Sequence, residues 1–154
     1  MFLVLRYALL IILGFAIAVY DYISQSIPNK LVLSMLAGWA ALVTAQTIYE
    51  AKLNSAILLD AFGGAAAGGG LFLLVYLVSR RRLGGGDVKF MTAVGLYLGF
   101  DGVLLAMFFG IILAVLTALT LYLHKRVGSE DVLPFAPFLY GGILITVFHH
   151  LYIF

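Results

Sequence analysis

Six long apolar stretches follow one another along this chain and leave little room for anything else. A helix needs about 20 apolar residues to cross a bilayer core of about 30 Å, and most of the stretches have about that length. They are Phe2–Tyr20, Leu31–Tyr49, Ala56–Ser79, Val88–Phe100, Val103–Leu123 and Val132–Phe154. We therefore predict an all-α, polytopic membrane protein whose six transmembrane helices form one domain over residues 1–154.

Composition excludes the main soluble classes of protein. Hydrophobic residues make up 64% of the chain and charged residues only 10%. An ordinary soluble domain is about half apolar and about a quarter charged, so this chain cannot cover a water-facing surface. The net charge of +2 is too small to favour a nucleic-acid partner. Because there are no cysteines, disulfides, thiolate metal sites and Cys nucleophiles are excluded, and we expect no metal and no cofactor.

The basic residues predict an orientation in the membrane. Seven of the nine fall in the first, third and fifth connections, and only Arg6 and Lys52 fall on the other side. Cytoplasmic loops carry an excess of Lys and Arg, so we expect those connections in the cytoplasm and both termini outside. Arg6 stands behind five mostly apolar residues, which is a poor start for a secretory signal. The first stretch is therefore expected to remain as a span of a multi-pass plasma-membrane protein.

Two acids are predicted to meet at the cytoplasmic face. Asp21 directly follows the first stretch, and Asp87 directly precedes the fourth. Val88–Phe100 would cover only about 20 Å as a helix, so the fourth span must begin upstream and draw Asp87 into the apolar layer. Ionisable residues at that depth are expensive and are functional candidates. Taken singly, each acid also fits a plain interfacial or solvated charge, so the functional case depends on the two converging.

Glycines and prolines mark the segments around these acids. Gly84, Gly85 and Gly86 immediately precede Asp87, and glycine there favours a break in the helix beside a wet cavity. Pro134 and Pro137 should bend or delay the start of the last helix. In the third stretch, the small residues of Gly63–Gly70 predict close helix packing. Asp60 lies at the opposite membrane face on this topology, where a polar helix-packing role is expected.

Two carboxyl groups within hydrogen-bonding reach can share a proton, and that arrangement supports two kinds of chemistry. An ionised acid can take a proton from water while a protonated one gives its proton to the carbonyl oxygen of an amide, which is aspartic proteolysis. The same pair can instead relay protons through a small transporter. A structural packing subunit is a third reading. The physics of the sequence leaves these alternatives open.

Three motifs follow one another along the chain. Asp21 is followed by Ile27-Pro28-Asn29, then come Gly84-Gly85-Gly86-Asp87-Val88-Lys89 and Pro134-Phe135-Ala136-Pro137-Phe138-Leu139. These motifs resemble those of the type IV prepilin peptidases, which are membrane aspartic proteases of the GxGD class. Gly84-Gly85-Gly86-Asp87 matches the GxGD segment, and the third motif is similar to the PFGPFL segment of the family, with Ala136 where glycine is usual. Together they cover most of the chain.

The resemblance implies a function and a set of site residues. Asp21 and Asp87 match the catalytic acids, and the surrounding motif residues are expected to form a substrate or active-site loop. These are Pro28, Asn29, Gly84, Gly85, Gly86, Lys89, Pro134 and Pro137. The family removes a short cytoplasmic leader from a prepilin or pseudopilin, just before its hydrophobic N-terminal helix. Larger members carry a Cys-rich soluble domain with N-methyltransferase activity between their first two helices. This chain resembles the small, peptidase-only branch that serves Flp-type tight-adherence pili.

Overall fold

The computed structural model describes residues 1–52, 54–78, 84–124 and 134–153. Within these ranges the secondary structure is helical, which confirms the all-α prediction, and four of the helices are long and apolar enough to cross a membrane. The acids Glu130 and Asp131, and the basic residues at 80–82, 125 and 126, lie outside the described residues. The helices are α1 (Phe2–Ser24), α2 (Asn29–Glu50), α3 (Ser55–Val78), α4 (Gly85–Leu123) and α5 (Ala136–Ile153).

Helix α1 is longer than the first apolar stretch. It continues past Tyr20 to Ser24, so Asp21 lies in its last turn rather than beyond it. The helix ends at Gln25, whose left-handed backbone (φ 48) lets its N–H donate to the Asp21 carbonyl oxygen at 2.8 Å. Pro28 is extended and caps α2, which leaves only residues 25–28 between the two helices. The connection is therefore a tight turn.

Helix α4 covers both the fourth and the fifth helix predicted from the sequence. The position predicted for the break between these two helices is wrong. The gap between the apolar stretches Val88–Phe100 and Val103–Leu123 predicts a turn at Asp101-Gly102, whereas the backbone leaves helical geometry at Gly99 (φ 72, ψ −173). Asp60 Oδ1 accepts a hydrogen bond of 2.9 Å from the N–H of Phe100, the residue after the break. Asp60 thus caps the helix that starts there, which is more specific than the helix-packing role expected from the sequence. The glycine is needed because a side chain disfavours this backbone conformation.

The chain reverses its direction at this break. A Cβ placed on Gly68 would lie 2.5 Å from the Met91 carbonyl oxygen and 2.9 Å from Val103 Cγ2. In a straight helix, residues twelve positions apart are separated by about 18 Å, so Met91 and Val103 can flank the same glycine only if the helix folds back. We call residues 85–98 the first arm of α4 and residues 100–123 its second arm. The arms are antiparallel.

The glycine-rich stretch of α3 packs against α4, as its composition predicted. Gly64 and Gly95 lie so close together that a Cβ on either would collide with the backbone of the other. Both residues are buried, and so is Gly68. Small residues allow helix backbones to approach in this way, and the close approach gains van der Waals contact in an apolar environment. The packing of α3 on α4 thereby fixes where the first arm lies along α3.

The helices run between two opposite ends of the molecule. Asp21, Asn29, Asp87 and Ala136 lie at one of them, which we call the site end, because Asp21 bonds Ala136 and Asn29 bonds Lys89. At the opposite end, the Tyr7 hydroxyl lies 2.9 Å from His150 Nδ1, and Asp60 caps the second arm of α4. Between the ends is a core of fully buried side chains that includes Leu10, Ile17, Met35, Phe90, Leu139 and Ile143. Alternating helices run in opposite directions through this core.

Candidate active site

The structure brings Asp21 and Asp87 together at the site end. Asp21 is in the last turn of α1 and Asp87 in the first turn of α4. Their exposed fractions are only 6% and 7%, and they are close enough for their charges to interact. A buried carboxyl group is costly unless it is paired or used. Two buried carboxyl groups whose charges interact form a carboxyl pair that can hold and transfer a proton.

Asp21 is held by the start of the last helix. Its Oδ2 accepts a hydrogen bond of 3.1 Å from the backbone N–H of Ala136, the first residue of α5. The first N–H groups of a helix have no partner within the helix and carry the positive end of its dipole, so they bind carboxylates well. Pro134 and Pro137 flank Ala136, and they favour the start of a helix at this point. The third motif therefore supplies a backbone donor to the first acid.

Asp87 is held on one side only. Its backbone N–H donates to the carbonyl oxygen of Gly84, at 3.1 Å, in the N-terminal turn of α4. Its Oδ1 is buried and has no hydrogen-bond partner among the described residues. Buried polar atoms are nearly always bonded, so an unpartnered carboxyl oxygen beside a second acid is suited to meet a water molecule or a substrate.

The glycine run before Asp87 is mostly helical. The sequence predicted a break over Gly84, Gly85 and Gly86, but only Gly84 lies outside α4, in an extended conformation (φ −70, ψ 134). The upstream start predicted for this helix is confirmed, because α4 begins at Gly85 and includes Asp87. Gly86 lies directly against the α1–α2 turn, since a Cβ there would be 2.8 Å from Ile27 Cβ. A side chain at this position would push the turn away.

The remaining motif residues contact one another. Lys89 Nζ donates a hydrogen bond of 2.9 Å to Asn29 Oδ1, which joins the segments on either side of the acids. Pro28 caps α2 directly before Asn29. The structure thus gathers the predicted residues at one end, although it does not aim Lys89 at the carboxyl pair.

Apolar grooves adjoin the site on both sides. One of about 430 Å³ lies between α1 and α5 and includes Ala18 and Tyr22, within one turn of Asp21, and Pro137. Another of about 370 Å³ lies between α2 and α4 and has Asn29 and Lys89 at its polar end. Among the described residues, no three His, Cys, Asp or Glu side chains are grouped to hold a metal ion.

One contributor to the site was missed by sequence reasoning. The Ala136 backbone N–H is invisible in a search for chemically active side chains, and it is 115 positions from the acid that it binds. The signal available was the pair of prolines, which marks where a helix can start. Nothing local indicated that this start would face Asp21.

Comparison with known proteins decides the family. The type IV leader peptidase family matches residues 8–119, which is well over half of the chain and includes both acids. The chain belongs to the type IV leader peptidase family. This confirms the resemblance inferred from the motifs. The match to the family ends before Pro134, so it does not cover the third motif.

A curated relative in this family is the prepilin leader peptidase/N-methyltransferase of Bacillus subtilis (strain 168). It is 30% identical to this chain over 130 residues, which cover 84% of this chain and 50% of the relative. The chain thus matches about half of the length of that relative. No solved structure matches the chain.

Proposed function

We propose that this type IV leader peptidase family member is an aspartic endopeptidase that removes the leader of prepilin-like proteins. The observation that carries the proposal is the pairing of two buried acids, one from α1 and one from α4, with an unpartnered oxygen on Asp87. Family membership supports the substrate class, because the bacterial relative is a prepilin leader peptidase. Flp-type prepilins are the substrates that we propose.

The proposed reaction needs only the two carboxyl groups and water. One carboxylate takes a proton from a water molecule while the oxygen of that water bonds to the carbonyl carbon of the scissile amide. The other, protonated, acid gives its proton to the carbonyl oxygen. The C–N bond of the tetrahedral intermediate then breaks as the first acid passes its new proton to the leaving nitrogen. The second acid takes a proton back from a hydroxyl group of that intermediate, so the pair regains its starting state without a covalent enzyme intermediate. The Ala136 N–H keeps Asp21 in place throughout.

The peptidase is proposed to act alone, without methyl transfer. Helix α2 begins only a few residues after α1 ends, so no soluble domain stands between these helices. The absence of cysteine is also unlike the Cys-rich domain of the larger members. We therefore propose that the protein removes the leader of its substrate and does not methylate the product.

Six crossings with a cytoplasmic site are part of the same proposal. The two antiparallel arms of α4 divide the chain into six helical segments, and the alternation of their directions supports the predicted topology. Lys30 and Lys89 lie at the site end, whereas Arg6 is near the opposite end. By the positive-inside rule, we propose that the carboxyl pair faces the cytoplasm and that both termini lie outside.

The test is co-expression with Flp-type prepilins and detection of leader removal by a mobility shift. Asp21→Asn and Asp87→Asn should each abolish processing, because neither retains a pair of acids. Asp101→Asn is the matched control, since Asp101 is an exposed acid of α4 that lies next to the Gly99 break, at the end of the molecule opposite Asp87. Normal cleavage by either dyad variant would contradict the assignment.

A transport function is tested with the same variants. In liposomes, a proton-coupled transporter would pass protons without any prepilin, and both Asn variants would stop that flux. The proposal expects no such flux from the parent protein. Flux that depends on Asp21 and Asp87, together with unprocessed prepilins, would replace the peptidase by the transporter.

A further inference from the structure

Lys89 makes a contact that the proposed reaction does not use. Its ammonium group donates to Asn29 Oδ1 at 2.9 Å, although the two residues are 60 positions apart in the chain. Asn29 is the first residue of α2, and Lys89 lies near the start of α4. This bond therefore joins the second helix to the helix that carries Asp87.

Lys89 is not placed to act on the reacting atoms. Residues two apart on a helix do not share a face, and Asp87 is buried whereas Lys89 is exposed. Its ammonium group instead bonds to Asn29, the residue of α2 that directly follows the α1–α2 turn. Any effect of Lys89 on the carboxyl pair should then pass through that turn.

The same turn is bonded to the last turn of α1, which carries Asp21. Its first residue, Gln25, donates its N–H to the Asp21 carbonyl oxygen, and its last, Pro28, caps the helix that begins with Asn29. Between them Ile27 lies against Gly86, one residue before Asp87. A shift of the turn relative to α4 would thus move Asp21 relative to Asp87.

We propose that Lys89 and Asn29 form a clamp that holds the α1–α2 turn against the first turn of α4. The clamp makes Lys89 a positioning residue, which acts through Asn29 to keep the two acids at a working distance. This inference rests on the proposed peptidase function and adds to it a role for two motif residues. A hydrogen bond from a charged donor is stronger than a neutral one, which suits it to this task.

Kinetics of cleavage by the reconstituted protein test the clamp. Lys89→Met and Asn29→Ala should each lower kcat by roughly tenfold, the scale of one hydrogen bond to a charged group, with KM unchanged. The double variant should be no worse than either single variant, because both remove the same bond. Asn29→Asp keeps an acceptor and should retain activity. Lys30→Met, which removes a neighbouring cation on α2, is the matched control and should behave like the parent.

Two kinetic results would overturn the proposal. A raised KM for Lys89→Met, with Asn29→Ala unchanged, would mean that Lys89 contacts the substrate or lipid instead. Losses that multiply in the double variant would mean that the two residues act independently. Either result would leave the carboxyl pair in place as the catalytic group.

A second measurement separates the clamp from the peptidase function. The chain has no cysteine, so Ile27→Cys provides a single, partly buried thiol on the turn, and its rate of reaction with a maleimide in membranes reports how closely the turn lies on α4. Adding Lys89→Met or Asn29→Ala should speed that reaction several-fold, whereas adding Lys30→Met should not. An unchanged reaction rate would overturn the clamp. If Lys89→Met and Asn29→Ala speed the reaction but the parent protein cleaves no prepilin, the clamp stands and the proposed function is rejected.

Discussion

The residues of the site divide into two acids and the groups that hold them. The carboxylate of Asp21 accepts a hydrogen bond from the backbone N–H of Ala136, while one carboxyl oxygen of Asp87 has no partner among the described residues. This asymmetry means that the start of α5 controls the position of Asp21. A change in that backbone donor should therefore affect catalysis without altering either carboxyl group.

Ala136→Pro removes this donor and should slow prepilin cleavage by about tenfold or more, the cost of an unmade hydrogen bond to a charged group. Proline is tolerated at the first position of a helix, so α5 should still form. Ala136→Gly keeps the N–H and is expected to cleave normally. Ala136→Val also keeps the N–H and controls for added bulk at this fully buried position. Equal losses in the Pro and Val variants would attribute the effect to volume and contradict the proposed hydrogen bond.

The site residues that the sequence predicts are those whose position relative to the apolar stretches indicates their place in the membrane. Asp21 and Asp87 flank apolar stretches, and the short fourth stretch already required Asp87 to enter its helix. Contacts between distant segments could not be foreseen. The bond of Lys89 to Asn29 and that of Ala136 to Asp21 depend on how helices are arranged around α4. A pattern of apolar residues does not specify that arrangement.

At the scale of elements, the break in α4 shapes the site more than any other feature. It lets the first arm carry Asp87 at one end while the second arm returns beside α5. Hydropathy indicated that a turn was required, but it placed the turn at the polar Asp101-Gly102. The actual break is at Gly99, where the Asp60 carboxylate on α3 caps the next residue. Other glycines lie nearby in the sequence, and the contact of Asp60 with Phe100 explains why the break is at Gly99.

Gly99→Ala should destabilise the protein by about 1–3 kcal/mol, the usual cost of a side chain in a backbone region that only glycine occupies freely. A Cβ there would also collide with the Asp60 carboxylate and displace the cap. The measurement is the thermal unfolding midpoint in detergent. Gly70→Ala is the matched control, because a Cβ on Gly70 meets nothing within 4 Å and alanine favours a helix. Equal midpoints for the two variants would mean that Gly99 is not under constraint.

The whole molecule is organised by its two ends. The carboxyl pair, Asn29 and Lys89 share the site end, and the Tyr7–His150 contact and the Asp60 cap share the other. A prepilin leader precedes a hydrophobic helix, so its cleavage point lies where that helix leaves the membrane. The proposed topology puts the acids at the boundary between the apolar layer and the cytoplasm, where the apolar grooves beside them would let such a substrate approach from within the membrane.

This arrangement requires the site end to face the cytoplasm, and single cysteines can test it because the chain has none of its own. Lys30→Cys places a thiol at an exposed position of the site end, and Asp101→Cys places one at the exposed opposite end. A membrane-impermeant maleimide added to intact cells should label residue 101 only, and residue 30 should react after permeabilisation. The reverse pattern would put the carboxyl pair outside the cell, away from a cytoplasmic leader. Labelling of both from one side would contradict the opposite ends seen in the fold, and with them the six crossings that bring α1 and α4 together.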